Sequence, residues 1–335
     1  MSKTLKKELL IFVAVAFGVT YLMGIPLGIV QRAGYDGSVF GDAQMFYPAA
    51  GVMLALWLTS KQDLPKRFFA FYLFSTAVCI ALCFANVFAP ENDWLTVVSL
   101  FVTAASVLAW VFLLTEKKEK REAWGLRWHG SIWTACGLVV KLIVLRLGMA
   151  VFSMAISDEA ATYLSYWMSA TPWIVLAMLI PNFLLTFLPF FGEEYGWRYY
   201  LQPKLQQRFG KRRGVLILGV VWGLWHLPLN LFYYSPDTSL QSIVVQIFLC
   251  IALGVFFGYA YGKTQNIWVP TMLHYFFNNL VVVIIGTADI SNQVYTWADV
   301  GIAVVMYIVC YLPFLASKVF DEPVKVESKS GIEAE

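Results

Sequence analysis

Long apolar runs dominate the chain, each interrupted after about twenty residues by a short polar or Pro/Gly-bearing joint. A membrane-crossing helix needs about 20 mostly apolar residues. The runs divide into ten such segments: 8–30, 46–60, 68–88, 94–114, 131–156, 170–192, 214–234, 239–261, 266–286 and 298–316. The second is short, which predicts little tilt or a partly re-entrant path. The pattern predicts an all-α, polytopic transmembrane helical bundle of about ten spans. Composition agrees: 59% of the 335 residues are hydrophobic and only 13% charged, whereas a soluble domain carries about 25% charge. A soluble globule, a disordered chain and a secreted disulfide scaffold are excluded.

Charge then orients the bundle, because Lys and Arg collect on the cytoplasmic side. With the N-terminus inside, every basic residue falls in an inside segment except Arg32, Lys141 and Arg146, which predicts an N-in, C-in topology. The outside joints are short and acidic or neutral, with Glu91 and Asp93, Asp158 and Glu159, Asp237, and Asp289. The net charge of +3 is therefore an orientation signal, and no nucleic-acid partner is expected. Residues 199–213 suit either a helix on the cytoplasmic interface or a solvated basic loop. Residues 321–335 lack an apolar face and read as a disordered cytoplasmic tail. All five cysteines fall in apolar stretches and are expected to pack as free thiols. No cleavable signal is expected, since the first apolar run outlasts a signal h-region and ends without an Ala-x-Ala site.

Ionisable groups inside a span cost at least a few kcal/mol and are functional candidates by default. Two of the three histidines, His226 and His274, lie within spans, while His129 lies at an interface. Glu193 and Glu194 follow one long apolar segment. Arg198 is four residues after Glu194 and can pair with it, leaving Glu193, about 100° round the helix, to face something else. Trp222 and His226 share a face, as do His274 and Asn278. Pro189, Pro228 and Pro270 sit near the three elements, where each frees a carbonyl or kinks a helix. Two imidazoles and a carboxylate can hold a water directly or through a divalent metal. A glutamate can then take the water's proton, and the Asn278 amide can face an oxyanion. The set implies hydrolysis of an acyl bond inside the membrane. Lys141 and Arg146, both in the fifth span, call for acidic partners; snorkelling and neutralisation of Glu193 and Glu194 are both open.

These residues carry three motifs: EExxxR at Glu193, Glu194 and Arg198; aromatic-xxx-His at Trp222 and His226; and HxxxN at His274 and Asn278. In this order on successive apolar segments, over about residues 170–290, the chain resembles the CPBP group of intramembrane proteases, which includes the CAAX prenyl endopeptidases and bacteriocin-processing relatives. The resemblance implies catalytic roles for Glu193, His226, His274 and Asn278, with Glu194, Arg198 and Trp222 in support. It also implies a possible Zn2+ on Glu193, His226 and His274, although HExxH is absent. Trp222 departs from the commoner Phe. The expected organisation is an accessory bundle over 1–165, a catalytic core over 166–290, a last helix over 291–320 and the tail. The expected setting is the plasma membrane of a bacterium, with membrane lipid and a membrane-associated peptide or protein substrate as partners. Two other readings use the same residues: a proton-coupled transporter with a His/Glu relay, for which no repeat of the pattern occurs in the first half, and a non-catalytic scaffold or immunity protein.

Overall fold

Eight helices long and apolar enough to cross a membrane, and ten spans if each of two bent pairs counts as one, lie in a computed structural model that describes residues 2–156 and 160–321. Most of the expected tail, and the acidic pair Asp158 and Glu159, lie outside the described residues. Among the described residues there is no strand. Five long helices come first: α1 (Lys3–Arg32), α2 (Ser38–Thr59), α3 (Lys66–Phe88), α4 (Trp94–Thr115) and α5 (Ile132–Ala155). A bent pair follows, α6 (Ala160–Met168) and α7 (Thr171–Thr186), meeting at 64°. The chain continues through α8 (Leu188–Glu194), a π-helical turn at Tyr195–Leu201 and α9 (Gln202–Phe209). A second bent pair, α10 (Lys211–Trp225) and α11 (Leu227–Tyr234), meets at 42°. Three helices complete the bundle: α12 (Ser239–Thr264), α13 (Trp268–Ile285) and α14 (Trp297–Ala316).

Burial sorts these helices into a centre and a rim. The apolar windows of α2 and α13 are 78% and 67% buried, against 11% for α14, so α2 and α13 form the interior and α14 faces lipid. The second span is therefore longer than hydropathy suggested. It starts at Ser38, and its polar first turns, including Gln44, are enclosed by neighbouring helices. The sixth run also differs from expectation. Its helix ends at Thr186 and restarts at Leu188 with Pro189 in the first turn, where a proline lacks no needed donor. Glu193 and Glu194 thus lie inside a long broken helical path.

Close backbone approach holds α10 to α12. A Cβ on Gly219 would stand 2.5 Å from the Ile251 Cα, and one on Gly223 would stand 2.7 Å from the Ile247 Cα. Gly219-xxx-Gly223 is the small-xxx-small spacing by which membrane helices pack without a hydrophobic driving force. At one end of this pair residues 315–321 are strapped down. Lys211 Nζ donates to the Val319 carbonyl at 3.0 Å, Arg212 Nε donates to the Leu315 carbonyl at 3.0 Å, and Arg212 pairs with Asp321 at 2.5 Å. The loops before α3 and after α4 also meet, through a Lys120–Asp63 ion pair of 2.8 Å. Residues expected in cytoplasmic segments thus contact one another. The interfacial stretch 199–213 takes helical form in α9.

Candidate active site

The first carboxylate is placed by two glycines. Gly192 lies against the Tyr72 hydroxyl and the Met45 carbonyl, and Gly196 lies against Pro48, so closely that a Cβ at either position would collide. This draws the Glu-Glu turn onto α2 and α3 and buries it: Glu193 is 2% exposed, and Glu194 and Arg198 are fully buried. Glu193 Oε2 accepts two indole N–H groups, from Trp222 at 2.7 Å and from Trp197 at 3.3 Å. Trp222 therefore does more than the packing expected of an aromatic at this position, because its N–H is a donor that Phe lacks.

The second carboxylate joins a different set. Arg198 Nη1 donates to Glu194 Oε1 at 3.2 Å, and Arg198 Nε stands 3.1 Å from Oε2. His274 Nδ1 also contacts Glu194 Oε1, at 2.8 Å. The guanidinium lies over the rings of Trp222 (4.3 Å) and Phe257 (5.1 Å). The expected Glu194–Arg198 pair is present, and neither Lys141 nor Arg146 reaches the carboxylates. Lys141 lies over Phe314 and Arg146 over Phe277.

His226 marks the break between α10 and α11. Pro228 supplies no N–H and crowds the Leu224 carbonyl four residues back. Side chains take up carbonyls at the break: Leu224 O accepts from the Tyr21 hydroxyl at 3.0 Å and Trp225 O from Gln44 Nε2 at 3.2 Å, while His226 O accepts both the backbone N–H of Asn230 at 3.0 Å and its Nδ2 at 2.9 Å. The proline therefore does free the backbone groups that the sequence suggested. His226 Nδ1 stands 2.9 Å from the Trp222 carbonyl, with Cys250 Sγ at 3.8 Å.

These contacts settle which imidazole nitrogens remain available. A carbonyl only accepts, so Nδ1 of His226 carries the proton; Nδ1 of His274 does so wherever it donates to the Glu194 carboxylate, and in that tautomer each uncharged ring presents its Nε2 lone pair. The bonds that fix the set use Oε2 of Glu193 and both Nδ1 atoms. They leave Oε1 of Glu193 and two Nε2 atoms for a reacting group. Trp222 ties the parts together: its indole holds Glu193, its carbonyl holds His226 and its ring meets His274 edge-on at 5.5 Å. Asn278, one turn past His274, is exposed and makes no hydrogen bond to the set among the described residues. It is a rim residue.

A metal centre was expected on Glu193, His226 and His274. Among the described residues no three His, Cys, Asp or Glu side chains gather as a metal-holding group. Glu193 already accepts two indole donors, and Glu194 is committed to Arg198 and His274. Four residues escaped the sequence reading. Trp197 was findable at four residues from Glu193 and Asn230 at four from His226; Gly192-xxx-Gly196 carried the small-residue spacing.

Fold and site together define a polytopic membrane protein with a buried carboxylate–imidazole site inside its helical bundle. Residues 171–280, from α7 into α13, match the family described as type II CAAX prenyl endopeptidase, Rce1-like, and over this segment the resemblance read from the motifs is borne out. A protein named CAAX prenyl protease 2 from Methanococcus maripaludis is 27% identical over 106 residues, covering 30% of this chain and 39% of that protein. The chain thus matches well under half the length of this relative. No solved structure matches the chain.

Proposed function

We propose that this protein is an intramembrane endopeptidase that hydrolyses a peptide bond of a membrane-associated substrate, of the CAAX type named for its family. The observation that carries the reading is the division of labour between adjacent glutamates. Glu194 is neutralised by Arg198 and clamps His274, while Glu193 is oriented by two indole N–H groups with one oxygen free.

In this account Glu193 Oε1 takes a proton from water as general base. The Nε2 lone pairs of His226 and His274 flank the water, and one of them accepts its other hydrogen, fixing its oxygen toward the scissile carbonyl. Attack forms a C–O bond and places negative charge on the carbonyl oxygen, which the Asn278 amide N–H stabilises from the rim. Protonated Glu193 then returns its proton to the leaving amine as the C–N bond breaks. Enclosure by aromatic side chains strengthens each of these polar contacts. With the N-terminus inside, the site lies toward the cytoplasmic half, and substrate enters from that side or laterally from lipid.

The test is cleavage of a panel of prenylated and unmodified membrane peptides by purified protein in detergent, comparing wild type with Glu193→Ala, His226→Ala and His274→Ala, with and without chelator. The account expects loss of cleavage in all three folded variants and retention of wild-type cleavage in chelator. Cleavage surviving in all three would sink the assignment. Chelator sensitivity would restore a zinc role for the Glu193, His226 and His274 set.

A further inference from the structure

Arg146 stands about 13 Å from the C-terminal end of α5, and its guanidinium lies 4.6 Å from the Phe277 ring centroid. Its Nε is buried without a hydrogen-bond partner, and no ion pair to it occurs among the described residues. A cation at this depth is costly unless something answers it. It lines a cavity of about 320 Å³ between α5, α6, α13 and α14, whose other walls include Ser153, Tyr163, Val281, Met306 and Tyr307. Among the described residues the lining contains hydroxyls and apolar side chains but no acid. Tyr295 and Tyr311 also lie within electrostatic reach of the guanidinium, and the Tyr311 hydroxyl is buried without a partner. A cation met only by an aromatic face among the described residues, beside an apolar cavity and near the unpartnered Tyr311 hydroxyl, is a receptor for a small anion with an apolar body.

The position of this chamber on α13 says which anion. Val281 follows His274 by seven residues, two turns along the same helix face. Seven helical residues rise about 10 Å, and three extended peptide residues reach roughly 10 Å. We infer that the Arg146 cavity binds the C-terminal carboxylate of the substrate, with the last three residues extended along α13 between the site and Arg146. This rests on the endopeptidase reading and deepens it. A CAAX sequence has three residues after its lipid-bearing cysteine, and the cavity's apolar walls suit aliphatic side chains. Arg146 lies outside the matched family segment, so this measuring device would belong to the first half of the chain.

Two measurements test it. The first uses inactive Glu193→Gln protein and the tripeptide Val-Val-Met as a probe, with its C-terminal amide as the neutral control, read by thermal shift and by equilibrium dialysis. The acid is expected to bind roughly tenfold to a hundredfold more tightly than the amide, the range of a charge-assisted hydrogen bond. Arg146→Gln should bring that ratio near one, and Arg146→Lys should restore part of it. Equal binding of acid and amide by the Glu193→Gln protein, or a ratio unchanged by Arg146→Gln, would overturn the inference even if the protein proves to be a peptidase.

The second compares wild-type cleavage of one peptide ending in carboxylate or amide, with preference for the acid expected mainly in KM. Mass spectrometry of co-purified lipid adds the rival outcome. A phospholipid retained by wild type, lost in Arg146→Gln and not displaced by the tripeptide would show that the cavity holds a headgroup instead. If wild type cleaves neither peptide while Val-Val-Met still binds through Arg146, the peptidase reading fails and the anion site stands.

Discussion

Exchanging each of the two adjacent glutamates for glutamine should give opposite results. Glu194 is fully buried and balances Arg198, which is also fully buried, while holding His274 at 2.8 Å. Glu194→Gln removes the paired negative charge and leaves the guanidinium to the aromatic faces and the more distant Glu193. Breaking a buried pair from one side typically destabilises by about 3–5 kcal/mol. Glu193 makes no ion pair among the described residues, and its contacts are two indole donors that a glutamine carbonyl can still accept. Glu193→Gln should therefore change stability by no more than about 1–2 kcal/mol while abolishing proton abstraction. The assay is unfolding of purified protein in mixed micelles, run beside peptide cleavage. The account expects Glu193→Gln to be folded, near wild-type in stability and inactive, and Glu194→Gln to unfold much earlier. Equal destabilisation of the two, or a stable Glu194→Gln protein beside an unstable Glu193→Gln protein, would refute the division of labour.

Trp222→Phe keeps the ring against His274 and Arg198 but removes the 2.7 Å donor; kcat should fall roughly tenfold or more, and by more than in Trp197→Phe, whose bond is 3.3 Å. Gly196→Val should prevent folding, because the new side chain meets Pro48, and expression with size-exclusion profiles would show it. Half-buried Lys204 on α9 has its amine pushed down to about 8 by burial, with Glu8 opposing. The folded state then binds fewer protons than the unfolded one between about pH 8 and 10.5, so stability should rise with pH across that window. Lys204→Met should flatten the rise, and a wild-type melting temperature that falls over the same window would contradict it.

The spans were legible because a bilayer imposes a length and an apolar content that survive without any knowledge of neighbours. The second span was misjudged at its start because Asp42 and Gln44 lower local hydropathy, while the enclosure of this stretch depends on helices distant in sequence. The pairing of Glu194 with Arg198 was readable from four-residue spacing. Its extension to His274, 80 residues away, was not, because no periodicity links α8 to α13. The indole bonds of Trp197 and Trp222 to Glu193 were hidden for a related reason, because Trp222 reaches the carboxylate from a separate helix. Arg146 stood out as a charge in a span, yet only tertiary packing reveals that it faces a chamber rather than the carboxylates.

The most direct measurement is single-turnover incubation of a farnesylated peptide bearing a C-terminal CAAX sequence with purified wild-type and Glu193→Gln protein, products identified by mass spectrometry. The account predicts that wild type releases the last three residues and that folded Glu193→Gln binds the peptide but leaves it whole. Cleavage by Glu193→Gln at the wild-type rate would contradict it.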